Sequence, residues 1–138
     1  MNRRHSFILM MVAISLSTWR NACANPSKAE QAIKKIIGNQ PVKSAPIYFE
    51  LPPLVENGNL VGIKCAVQSP MTANEYVKAI HIIAEANPLP NVVSCYFTPL
   101  SGKAEVMTRI RLADSQKVWV LAQMSTGEFL QTSANTVV

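Results

Sequence analysis

Alternation of apolar and polar residues runs through most of this chain, and no other feature constrains its fold as tightly. Between residues 104 and 112, Ala104, Val106, Thr108, Ile110 and Leu112 take one phase, while Glu105, Met107, Arg109 and Arg111 take the other. Successive side chains of a strand point to opposite faces, so this spacing describes a strand buried on one side only. The same period recurs at residues 47–51, 61–67, 93–97 and 118–124. Residues 77–84 are apolar on both phases, with His81 among them, which predicts a strand in the interior of a sheet. A last strand is expected over residues 129–138.

Turn chemistry separates these runs. Pro52-Pro53, Asn57-Gly58, Ser69-Pro70, Asn87-Pro88-Leu89-Pro90, Pro99 to Gly102 and Ser125 to Gly127 each break a strand. Thr72 and Glu75 have capping-box spacing, which fits one helical turn or a tight loop. Seven strands recurring about every ten residues predict a mostly β fold, a two-sheet sandwich.

One helix precedes the strands. Ser27 and Glu30 form a capping box, and Ala29, Ala32, Ile33, Ile36 and Ile37 follow at helical spacing. Lys34 and Lys35 fall in its last turn and Gly38 ends it, so a short amphipathic helix is expected over residues 28–37.

The first residues read as an export signal. Arg3 and Arg4 precede an apolar run, residues 7–17, that is too short to span a bilayer. Ala22-Cys23-Ala24 offers small residues for cleavage after Ala24, which defines a leader at 1–24 and one domain at 25–138. The arginine pair fits twin-arginine export, although Phe7 stands one position late for it, so the general secretory route also fits. Cys23 raises a lipoprotein reading, which Arg20 disfavours by standing where an apolar residue is expected. No second long apolar segment follows, so a protein exported to the periplasm, without stable membrane insertion, is expected.

Charge excludes one class of partner. Thirteen Lys and Arg against eight Asp and Glu give +5. Arg3, Arg4 and Arg20 lie in the leader, so ten against eight, or +2, remain beyond it. The basic residues are dispersed, and nucleic-acid binding is not expected.

Catalytic signatures are also missing, and neither an enzyme, a metal nor a cofactor is expected. His81 is the one histidine beyond the leader, and with Cys65 and Cys95 it makes no zinc spacing. The glycines are isolated, so there is no phosphate loop, and the acidic residues are scattered singly. Cys65 and Cys95 fall on the apolar phase of their strands and are expected as a disulfide or as two buried thiols. Met107, Arg109 and Arg111 share an outward phase with Glu105. That face is either a solvated, salt-bridged surface or a partner-docking surface, since arginine is enriched at interfaces.

Between residues 69 and 129 the chain contains SPMTANEYVKAIHIIAEANPLPNV, FTPLSGKAEV and TRIRLADSQKVWVLAQMSTGEF. This combination resembles the SoxY family, the sulfur-carrier subunit of the periplasmic thiosulfate-oxidising Sox system. The likeness extends upstream through AIKKIIG and LPPLVENGN. The resemblance implies an immunoglobulin-like sandwich, a heterodimer with a smaller SoxZ-like subunit, and traffic with other Sox pathway enzymes. It also implies a carrier that does no catalysis itself and holds sulfur on a cysteine in a C-terminal Gly-Gly-Cys-Gly tail.

That tail has no counterpart in the sequence, which reads Thr136-Val137-Val138 at its end. Neither Cys65 nor Cys95 matches the carrier position. The expectation is therefore a SoxY-like subunit unable to load sulfur. The alternatives are a carrier-less binding or regulatory relative that docks a SoxZ-like partner, and a protein that uses Cys65 and Cys95 as a redox pair.

Overall fold

A computed structural model describes residues 27–138 of the chain. The leader read at residues 1–24 and its cleavage site lie outside the described residues. Helix α1 occupies Lys28–Ile37, with both bonds of the expected capping box in place. The Glu30 amide donates to Ser27 Oγ and the Ser27 amide donates to Glu30 Oε2, both at 3.1 Å. Gly38 closes the helix at φ 60°, a left-handed conformation that glycine adopts at little cost. No described helix is long and apolar enough to cross a membrane.

Eight strands follow: β1 (Val42–Ser44), β2 (Tyr48–Glu50), β3 (Val61–Val67), β4 (Val77–Ala84), β5 (Asn91–Tyr96), β6 (Ala104–Ile110), β7 (Gln116–Met124) and β8 (Phe129–Thr136). They form a five-stranded sheet in the order β1-β8-β7-β4-β5 and a three-stranded sheet in the order β2-β3-β6. The chain is thus the mostly β, two-sheet sandwich expected, with one strand more than the seven anticipated. The addition is β1, which pairs parallel with β8 through Val42, Lys43 and Ser44. Its three residues are all exposed and carry no apolar alternation, so periodicity could not reveal it.

The two sheets share one core. Val61, Ile63, Cys65 and Val67 of β3 face inward, together with Val106 and Ile110 of β6. Ile80, Ile82 and Ala84 of β4 and Val118, Val120 and Ala122 of β7 meet them from the larger sheet. Each fully buried Ile or Val contributes about 1.5–3 kcal/mol over the exposed state. The other face of the larger sheet is covered by α1, where Ala29, Ile33, Ile36 and Ile37 pack on Ile83, Leu121 and Trp119. This explains why residues 77–84 are apolar on both phases. One phase faces the other sheet, and the other faces the helix.

The connections are held by polar side chains. Thr72 and Glu75 make a tight loop, not a helical turn, with the Thr72 amide donating to the Glu75 carbonyl at 2.9 Å. Pro99–Ser101 is a single 3-10 turn. Buried Asn87 donates to the Arg111 carbonyl at 2.8 Å and accepts from the Ala113 amide at 2.9 Å and Gln116 Nε2 at 3.1 Å. Met71 has a positive φ of 52°. The strain is about 1–3 kcal/mol, and burial of its side chain in the common core, worth a similar amount, offsets it.

His81 proves to be a packed structural residue on the helix-covered side of β4. Its Nδ1 lies 2.8 Å from Ser94 Oγ, and its ring meets Tyr96 edge-on at 6.0 Å. Burial holds its pKa below the ordinary 6.5.

Two outcomes follow from this packing. A β-carbon on Gly58 would stand 2.5 Å from the Leu112 carbonyl oxygen, whose residue is hydrogen-bonded back to Gly58. Gly58→Ala should therefore destabilise the fold by about 1–3 kcal/mol in a denaturant titration. The second outcome concerns pH. The unfolded chain protonates His81 at its ordinary pKa while the folded chain resists, so stability should fall as pH drops below 6.5. His81→Gln should flatten that slope between pH 6.5 and the lower folded pKa, as read from thermal melts at stepped pH.

Candidate functional site

While α1 covers one outer face of the sandwich, no described element covers the other, the outer face of β2-β3-β6. The β3–β6 register sets its composition. Lys64 stands beside Met107, Gly62 beside Arg109, and Ala66 beside Glu105. Tyr48 and Glu50 of β2 complete it, paired with Ala66 and Lys64. Met107 is 71% exposed at its centre, one of several large apolar side chains exposed among the described residues. Arg109 is exposed on the same face. Arg111 is exposed one residue past the end of β6, where Asn87 holds its backbone carbonyl.

Some charges on this face are matched and others are not. Lys64 Nζ contacts Glu105 Oε1 at 3.4 Å and lies 5.9 Å from the centre of the Tyr48 ring. The Tyr48 hydroxyl donates to Glu50 Oε2 at 3.0 Å, and that bond to the carboxylate raises the tyrosine pKa. Among the described residues no ion pair involves Arg109 or Arg111. The salt bridge expected of this face therefore exists but runs from Glu105 to Lys64, across strands. Between β6 and the Pro52-Pro53 segment lies a groove of about 1000 Å³, floored at Gly62 and Ile63.

The structure brings Met107 and Arg109 to one groove, as the alternation predicted, while Arg111 is exposed past the end of β6 and outside the groove lining. It adds Lys64, Glu50, Gly62 and the proline pair, which sequence reasoning did not attach to them. The outward phase of residues 61–67 already marked Gly62 and Lys64 as facing away from the core. What was missing was the pairing of β3 with β6, which joins residues 37 to 49 apart in sequence.

The two cysteines lie elsewhere. Both are free thiols, so of the two expectations the disulfide is not formed in this structure. Cys65 is fully buried in β3, between Phe49 and Val106 in the register. Burial, and secondarily the nearness of Cys95, pushes its pKa up to about 11. Cys95 lies half-buried in the edge strand β5, beside Ile80, and packs against the same core. A thiol needs its thiolate form and access to react, and Cys65 is denied both. Among the described residues no three His, Cys, Asp or Glu side chains gather as a metal site.

A family model described as "Sulfur oxidation protein SoxY" matches residues 33–138. No curated protein matches the chain in sequence. Among solved structures, the sulfur carrier protein SoxY from Chlorobium limicola f thiosulfatophilum is 27% identical, with a TM-score of 0.66 over 78% of this chain and 89% of that one. A superoxide reductase (neelaredoxin) from Ignicoccus hospitalis is 15% identical, with a TM-score of 0.60 over 69% of this chain and 81% of that chain. The superoxide reductase from Nanoarchaeum equitans is 11% identical, with a TM-score of 0.56 over 70% of this chain and 98% of that one. At such identities the likeness to the reductases shows the fold alone. The match over residues 33–138, carried by a sandwich like that of the Chlorobium carrier, makes this chain a member of the SoxY family.

Proposed function

We propose that this chain is a non-catalytic SoxY-like subunit of periplasmic thiosulfate oxidation, docked to a smaller SoxZ-like subunit through the outer face of β2-β3-β6. The observation that carries the docking is Met107, 71% exposed among polar and charged neighbours, on the sheet face that α1 does not cover. An exposed apolar side chain ringed by charge is a common centre for an interface, with arginines as its partners in recognition. Family membership supports the pathway, and the leader read at residues 1–24 supports the compartment. Other Sox enzymes would meet the chain as part of that pair.

A second reading is favoured by the two thiols. A carrier must expose a sulfur that several enzymes can reach, and of the two thiols among the described residues Cys65 is fully buried and Cys95 half-buried. Residues 27–138 would then dock a partner without themselves loading sulfur, in a binding or regulatory role. Use of Cys65 and Cys95 as a redox pair is disfavoured by the complete burial of Cys65.

Incubation of the folded protein with thiosulfate and an oxidising Sox extract should leave Cys65 and Cys95 without a sulfur adduct by intact-mass and peptide analysis. An adduct on either would mean that the sandwich itself carries cargo. For the interface, Met107→Asp should weaken the heterodimer with a SoxZ-like subunit about tenfold or more by calorimetry, while leaving the thermal midpoint in place. Unchanged affinity would remove this face from the docking reading.

A further inference from the structure

We propose that the groove above Gly62 seats an extended, carboxylate-bearing segment of the docking partner, and that Arg109 receives the carboxylate. This inference rests on the docking reading above and specifies its chemistry.

Glycine inside a strand weakens it, so each such position calls for a reason. At Gly58, in the turn before β3, the reason is internal, since a β-carbon would collide with Leu112. At Gly62 there is no internal reason. A β-carbon there would meet nothing within 4 Å, and Gly62 is not among the residues with positive φ. The chain's own packing would accept a larger residue at the middle of its uncovered sheet. A glycine that the fold does not need, at the floor of an open groove, fits the close approach of another backbone.

The walls define what can lie there. Pro52 and Pro53 form one side, and Met107 and Arg109 form the other. The lining is mainly apolar along its length, as suits a polypeptide segment. Among the described residues two charges of this lining have no ion pair, Arg109 and Glu50. Lys64 is engaged by Glu105, and Glu50 accepts the Tyr48 hydroxyl. Arg109, directly across the register from Gly62, has no ion pair among the described residues. A guanidinium favours a planar carboxylate that accepts two hydrogen bonds, which commits the occupant to an Asp or Glu side chain.

The test uses the full chain and a SoxZ-like subunit in calorimetric titrations, with thermal melts of each variant. Gly62→Val fills the groove floor and should lower affinity tenfold or more. Its thermal midpoint should match or exceed that of the parent, since valine favours strands. Gly62→Ala is the milder control and should melt no lower than the parent. Arg109→Glu should also cost tenfold or more and remove most of the salt dependence of binding. Gly62→Val binding within twofold of the parent would overturn the inference and leave the docking reading intact. A lowered melt of Gly62→Ala would also overturn it, because the fold would then need the glycine. If the parent chain itself fails to bind the subunit, both readings fall.

Discussion

Everything in this molecule depends on two sheets pressing their apolar phases together. β3, β4 and β7 supply most of that contact, and their inward residues are almost completely buried. The sheets are unequal, with five strands against three. The wide sheet needs cover on its second face, and α1 provides it through Ile33, Ile36 and Ile37. The narrow sheet has polar and charged residues on its second face and needs no cover to be stable in water. Met107 stands exposed among them.

The strands were legible where burial imposes a period. β3 and β4 have the bounds that alternation and apolar runs predicted, and the capped helix spans the predicted residues. The short edge strand β1 was not legible, because its residues are exposed and its pairing is supplied by β8, far along the chain. The last strand ends at Thr136. Val137 continues only as a single bridge to Leu54. For the candidate site, Met107 and Arg109 could be read from one strand. Their neighbours could not, since cross-strand register belongs to the folded sheet and not to any local run of residues.

The two thiols illustrate the same division. Sequence placed Cys65 and Cys95 on apolar phases, which is where they lie. Whether they meet depends on how far β5, at the edge of one sheet, overlaps β3 in the other, and no local pattern encodes that distance. As free, inward-leaning thiols they serve as packing groups. Cys65 in particular fills core volume as a small apolar side chain would.

The parallel pairing of β1 with β8 has a further consequence. It joins residues 42–44 to residues 129–131, so the start and the finish of the sandwich close on each other. Contacts spanning so much of the chain form slowly, because most of the loop entropy must be lost before they stabilise anything. A ribosome must deliver β8 before this seam can close, and until then the wide sheet lacks one edge.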